Sequence, residues 1–230
     1  MTPATLDALL EARAQRCPVV LATRLTDGVQ HVLPGTAVSA ALAEAAGLAL
    51  ERDENGVADI DGEAWFLHVH ARPWRLFVVG AVHIAQVLVP LAHTLGYAVT
   101  VIDPRASFNS AERFPGAERM QAWPDTALDT MGPDARSAVV AMTHDPKLDD
   151  PALDRALRSP ASYIGALGSK RSHAARLTRL GALGHSTETL ARVRGPVGLK
   201  IGAVSAPEIS LSIMAEIVAV RRHADLGERR

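Results

Sequence analysis

The chain has 230 residues, with 24 Lys and Arg against 25 Asp and Glu and a formal net charge of −1. That balance carries no block of like charge, which argues against nucleic-acid or membrane-surface binding. A single cysteine, Cys17, excludes a disulfide framework or a thiolate metal cluster within one chain.

Pro3 suits the first turn of a helix, and Leu6, Leu9, Leu10 and Arg13 keep helical spacing, so a helix is expected over 3–16. Asp7 and Glu11 in this stretch do not fit a signal peptide, and no apolar run is long enough for a bilayer. A soluble cytoplasmic protein is therefore expected. Residues 18–25 read as a strand, Asp27-Gly28 as a turn and 29–33 as the returning strand. Thr36 is placed to cap an alanine-rich helix ending at Gly47. Asn55-Gly56 and Asp61-Gly62 then bracket short strands leading into residues 64–70. Residues 1–72 are thus expected to form a small α+β domain, with the joint at Ala71-Arg72-Pro73-Trp74.

From residue 73 to 230 the rhythm becomes alternating. Strands are expected near 75–80, 97–103, 117–122, 137–142 and 161–165, and helices near 83–95, 124–131, 149–158, 169–181 and 206–222. This pattern predicts an α/β fold, a Rossmann-like and mostly parallel sheet. In the last helix, Ile213, Met214, Ile217 and Val218 fall on one stripe.

The run Arg75-Leu76-Phe77-Val78-Val79-Gly80-Ala81-Val82-His83 is a strand, a small-residue turn and a helix start; the following apolar run ends in Asp103. This is the layout of a mononucleotide-binding βαβ unit. Small residues let backbone N–H groups approach a phosphate at the helix N-terminus, and the acid suits ribose hydroxyls. Val82, however, stands where the second glycine of the fingerprint is usual, and a β-branched residue there crowds a pyrophosphate.

Ligands of open α/β sheets bind outside the carboxyl ends of the strands. Gly80 to His83, Asp103-Pro104-Arg105, Met142-Thr143-His144-Asp145 and Tyr163 to Arg171 should converge there. In the last segment Gly165 and Gly168 give backbone freedom, Ser169 is a good helix cap, and Lys170 and Arg171 add positive charge. His83 is either a neutral donor at a helix start or a packing residue. His144 is placed facing a ligand, while Asp145 either orients it or caps the next helix. His68 and His70 share a strand face, but no third ligand lies near them, so packing is favoured over metal binding. Cys17 reads as a buried, inert thiol rather than a nucleophile, and the absence of a G-x-S-x-G elbow argues against a hydrolase.

Taken in order, Gly80-Ala81-Val82-His83-Ile84-Ala85, Val101-Ile102-Asp103-Pro104-Arg105, Arg113-Phe114-Pro115, Met142-Thr143-His144-Asp145, Tyr163 to Lys170, Gly198 to Ala203, Pro207-Glu208-Ile209 and Ala215-Glu216-Ile217 resemble the C-terminal Rossmann domain of the XdhC/CoxI family. The resemblance covers about residues 75–222. It implies an accessory protein rather than a metabolic catalyst: a chaperone that binds molybdenum cofactor, in pterin or dinucleotide form, and assists its sulfuration and insertion into a xanthine or CO dehydrogenase-type hydroxylase. It further implies a cysteine desulfurase partner; a homodimer, and no metal held by side chains, are expected besides. The cofactor-binding residues it points to are Gly80, His83, Asp103, Arg105, Thr143, His144, Gly165, Gly168, Ser169 and Lys170. Asp103 would hold a ribose or pterin donor, Arg105 and Lys170 would meet phosphate, and His144 would face the cofactor. Members also carry a Ser-Gly-Gly-Cys type motif that residues 1–70 lack, so a separate N-terminal-domain protein is an expected partner. The competing readings are an NAD(P)-dependent oxidoreductase, against which stand Val82 and the lack of a Tyr-x-x-x-Lys pair, and a nucleotide-binding scaffold.

Overall fold

The computed structural model describes residues 1–15 and 17–224. Two compact units divide at Arg72 and Pro73.

The first unit opens with α1 (Pro3–Ala14), whose cap is Thr2; Arg16, within the expected helix, lies outside the described residues. Next come β1 (Val19–Arg24), β2 (Gln30–Leu33), α2 (Ala40–Arg52), β3 (Gly56–Ile60) and β4 (Glu63–His70). The strands form an antiparallel sheet in the order β2-β1-β4-β3. The expectation for α2 is corrected at both ends. Ser39 is the cap, its Oγ accepting from Leu42 N–H, while the Thr36 hydroxyl donates to the Val32 carbonyl. The helix also continues through Gly47 to Arg52. Burying Leu42, Ala46 and Ala49 outweighs the ~1 kcal/mol cost of one interior glycine, and left-handed Asp53 ends the helix.

The second unit contains β5 (Arg75–Val79), α3 (His83–Thr94), β6 (Ala98–Ile102), β7 (Glu118–Met120), α4 (Pro124–Met131) and β8 (Ser137–Ala141). It continues with α5 (Pro146–Arg158), β9 (Tyr163–Ala166), α6 (Lys170–Ala182), α7 (Thr187–Leu190), β10 (Val193–Arg194) and α8 (Ala206–Arg221). α5 starts three residues earlier than expected because Asp145 caps it and Pro146 fits its first turn. α7 and β10 are too short to leave a periodic signal.

All six strands are parallel, in the order β10-β9-β8-β5-β6-β7. The α/β expectation is met. Period-two alternation explains the layers. Leu76 and Val78 of β5 pack with residues of α3 and α8, whereas Phe77 and Val79 pack with residues of α4, α5 and α6. Both faces are therefore covered, which is why β5, β6, β8 and β9 read as apolar runs. β5 leads on to β6 on one side and lies against β8 on the other, so the chain reverses direction across the sheet between β5 and β8. A crevice is expected outside the carboxyl ends at that point. Val79 pairs with both Ile102 and Ala141, and Ala141 with Ala166, so Gly80, Asp103, Met142 and Leu167 leave the sheet at one level.

Candidate functional site

The first loop is shaped by a close approach. Gly80 has φ of +108°, and a Cβ there would lie 2.5 Å from Thr143 Cγ2 and 3.3 Å from Thr143 N. Only glycine lets the ends of β5 and β8 come so near. Val82, by contrast, has extended backbone (φ −87°, ψ 174°) and its side chain packs on the core cluster of α3 and α8. The backbone needs no glycine at that position. As N-cap of α3, Val82 supplies no side-chain hydrogen bond, and exposed His83 begins the helix. Unpaired N–H groups and the dipole at such an end favour an anion.

Asp103, at the end of β6, turns inward. Its Oδ2 accepts from Ala81 N–H at 2.8 Å and from Arg105 Nη2 at 2.7 Å, while Oδ1 accepts from Arg105 N–H and Nε, each at 2.9 Å. Burial acts to raise its pKa, but these donors outweigh it and hold the carboxyl below its ordinary value. Asp103 thus braces the β5–α3 loop, and Arg105 lies over it, its guanidinium 4.4 Å from the centroid of the Phe108 ring.

The third loop depends on Asp149, a buried residue of α5 that the sequence did not single out. Its Oδ1 accepts from the Thr143 hydroxyl at 2.7 Å and from Thr143 N–H at 3.2 Å; Oδ2 accepts from His144 N–H at 3.1 Å. These bonds hold His144 in the left-handed region, at φ +62°, uncommon for a residue with a side chain. The His144 residue is exposed. Buried Arg176 of α6 stands 3.6 Å from Asp149 Oδ2 and donates to the Leu167 carbonyl at 2.9 Å, tying the β8 and β9 loops together. Burial pushes the Asp149 carboxyl up and the Arg176 guanidinium down, so desolvation dominates the pair.

At the end of β9, Gly168 (φ +139°) would place a Cβ 2.5 Å from Ser172 Oγ, so this turn is closed to larger residues. Ser169 caps α6, its Oγ accepting from Ser172 N–H, and Lys170 and Arg171 are exposed in the first turn. Gly165, within the expected strand, lies inside β9 and is buried, and a Cβ would meet Val197 Cγ2 at 2.6 Å and Tyr163 Cε1 at 2.8 Å, so packing alone requires glycine here.

A third buried carboxylate, Glu216 of α8, completes the edge. It accepts from the Tyr163 hydroxyl and from Gly198 N–H at 2.9 Å, with Arg194 Nη1 3.6 Å from Oε1. Three carboxylates from different elements therefore each fix backbone N–H groups of a carboxyl-edge loop, and each stands near an arginine. The periodicity of α8 hides Glu216 within an apolar stripe. Asp149 reads on the sequence as one acid among several in Asp145 to Asp154. Exposed along the edge are His83, Arg105, His144, Ser169, Lys170 and Arg171, together with Phe108 and the acidic Asp145.

Elsewhere, the His68 and His70 rings lie 4.2 Å apart in the first unit, and burial followed by the charge of His68 lowers the His70 pKa. Cys17 is exposed. No helix among the described residues is long and apolar enough to cross a membrane.

Comparison with known proteins gives the following. The sequence pattern of the XdhC Rossmann domain matches residues 76–217. The molybdenum cofactor insertion chaperone PaoD of Escherichia coli (strain K12) is 33% identical over 151 residues, 66% of this chain and 41% of that protein. A protein of Bacillus subtilis (strain 168) described as a probable xanthine dehydrogenase component is 33% identical over 149 residues, 64% of this chain and 43% of that protein. The match thus spans about two fifths of the length of these curated relatives. A crystal structure described as a xanthine dehydrogenase from Bacillus halodurans superposes with a TM-score of 0.71 at 22% identity, covering 96% of this chain and 67% of that one, and shows the shared fold.

Proposed function

The chain belongs to the XdhC family, and from that premise we propose that its carboxyl-edge crevice binds molybdenum cofactor for delivery to a molybdenum hydroxylase. The observation that carries this reading is the pairing of two helix starts along one sheet edge. α3 begins without a side-chain cap, and α6 begins at Gly168-Ser169-Lys170 with exposed cations. A phosphate-bearing pterin is an anion with a hydrogen-bonding ring system, and such an edge suits it. The likeness to a relative named as a molybdenum cofactor insertion chaperone supports the same ligand.

The residues divide the work by chemistry. Backbone N–H groups at the α3 and α6 starts, with Lys170 and Arg171, hold phosphate. His83 and His144 are the exposed imidazoles that face the bound group, and Thr143 and Gly80 shape the floor between them. Asp103 and Asp149 keep the loops in place and are spent on that task. The molybdenum centre itself supplies the redox and oxo-transfer chemistry in the enzyme that finally receives it. Nothing in the exposed set requires this chain to make or break a bond, so it acts as a carrier.

Sulfuration of the cofactor with a cysteine desulfurase belongs to the same proposal. So does partnership with a separate N-terminal-domain protein, because residues 1–70 lack the Ser-Gly-Gly-Cys type motif, and so does a homodimer. Reconstitution tests the carrier role. Purified protein loaded with cofactor under anaerobic conditions should activate an apo molybdenum hydroxylase faster than free cofactor does. Equal rates with and without the protein would refute delivery.

A further inference from the structure

On the reading that this crevice is the ligand site, we infer that Arg105 is a specificity-determining residue: by capping Asp103 it closes the β6 end of the crevice to the ribose diol of NAD. In sheets with this strand order, the acid ending the second strand of the βαβ unit is the group that receives the ribose diol. A carboxylate has about four lone-pair positions to offer. All are taken within the chain, by Ala81 N–H, Arg105 N–H, Arg105 Nε and Arg105 Nη2, at distances of 2.7–2.9 Å. The Asp103 side chain is 0% exposed, whereas the Arg105 side chain above it is 41% exposed.

The cap is held from outside as well. The Arg105 guanidinium lies 4.4 Å from the centroid of the Phe108 ring. Arg113 flanks the same ring at 5.6 Å, donates to the Phe108 carbonyl at 2.7 Å and reaches Gln86 Oε1 at 3.3 Å. Two neutral hydroxyls cannot match a bidentate, charge-assisted guanidinium–carboxylate pair. The pair therefore withholds the acceptor that NAD requires. Ligands with phosphate at the α3 or α6 start and no cis-diol at the β6 end are unaffected. Val82 does not cause the exclusion, because its side chain packs on the core.

Equilibrium binding of NAD⁺ and NADP⁺ to the full chain, with molybdenum cofactor titrated on the same samples, tests this. The wild-type protein should show no binding of NAD⁺ up to millimolar concentration. Arg105→Leu uncovers Asp103 and should gain at least ten-fold for NAD⁺ but nothing for NADP⁺, and adding Asp103→Asn should abolish the gain. Phe108→Ala removes the outer support without touching the carboxylate and should give a smaller gain of the same sign. Micromolar NAD⁺ binding by the wild-type protein overturns the inference. So does a gain that survives Asp103→Asn, or folded Arg105→Leu and Phe108→Ala proteins with wild-type NAD⁺ affinity. Wild-type protein that binds molybdenum cofactor and NAD⁺ alike defeats the inference and leaves the proposed function standing. Wild-type protein that binds neither, with the NAD⁺ gain present in Arg105→Leu, does the reverse.

Discussion

Gly80 and Thr143 meet where the sheet reverses, with the position of a Gly80 Cβ only 2.5 Å from Thr143 Cγ2. The contact brings the loops after β5 and β8 together, and it depends on both residues. Gly80→Ala must force a Cβ into that space at φ +108°, so a loss of about 2–4 kcal/mol is expected from strain and displacement together. Thr143→Ser keeps the hydroxyl for Asp149 and removes Cγ2. The double variant should therefore recover part of the loss in urea unfolding, but not all, since Thr143 N remains 3.3 Å away. Strictly additive losses would show that the two residues do not interact.

Removing one partner of the buried Asp149–Arg176 pair should cost more than removing both. Asp149→Ala leaves Arg176 charged in the interior and strips Thr143 and His144 of their acceptor, a loss of about 3–5 kcal/mol. Asp149→Ala/Arg176→Met should be the more stable of the two in chemical denaturation.

The two buried aspartates answer pH with opposite signs. The depressed pKa of Asp103 adds stability that is present above the ordinary carboxylate value near ~3.9 and is lost as pH falls through the lower folded-state value. The raised pKa of Asp149 works the other way. Its ionisation subtracts stability as pH rises above the ordinary value, and the penalty is complete once the folded-state value is passed. The destabilisation caused by Asp103→Asn should thus shrink on acidification, while that of Asp149→Asn should grow. Unfolding free energies measured across the acid range decide it.

Glu216 controls the segment after β10. Tyr163→Phe removes one donor to it and should cost about 1–3 kcal/mol. Glu216→Ala should release Gly198 and Leu199, seen as faster amide hydrogen exchange there than in α3. Unchanged protection at Gly198 would mean that the Leu199 N–H bond to the Ser212 carbonyl holds the segment unaided.

Much of this architecture is legible in the chain. The strands β5, β6, β8 and β9 announce themselves because each is a short apolar run buried on both faces, and the helices because residues such as the cap Ser169 and the first-turn Pro207 mark their starts. Fragments without a period are not legible, as α7 and β10 show. The site is half legible. Gly80, Gly168 and Ser169 stand out because turns and caps constrain residue type locally. Asp149, Arg176 and Glu216 do not, because each acts through a partner distant in sequence or hidden on a helix face. Gly165 is ambiguous for the complementary reason, since a glycine required by packing against Val197 looks the same in sequence as one that frees a loop.

The most direct test is anaerobic equilibrium binding of molybdenum cofactor to the wild-type protein and to His144→Ala, Ser169→Ala and Lys170→Ala. Saturable one-to-one binding is expected, weakened several-fold or more in each variant, with the Lys170 effect fading as salt rises. Absence of binding, or binding equally tight in all three folded variants, would contradict a cofactor site at this edge of the sheet.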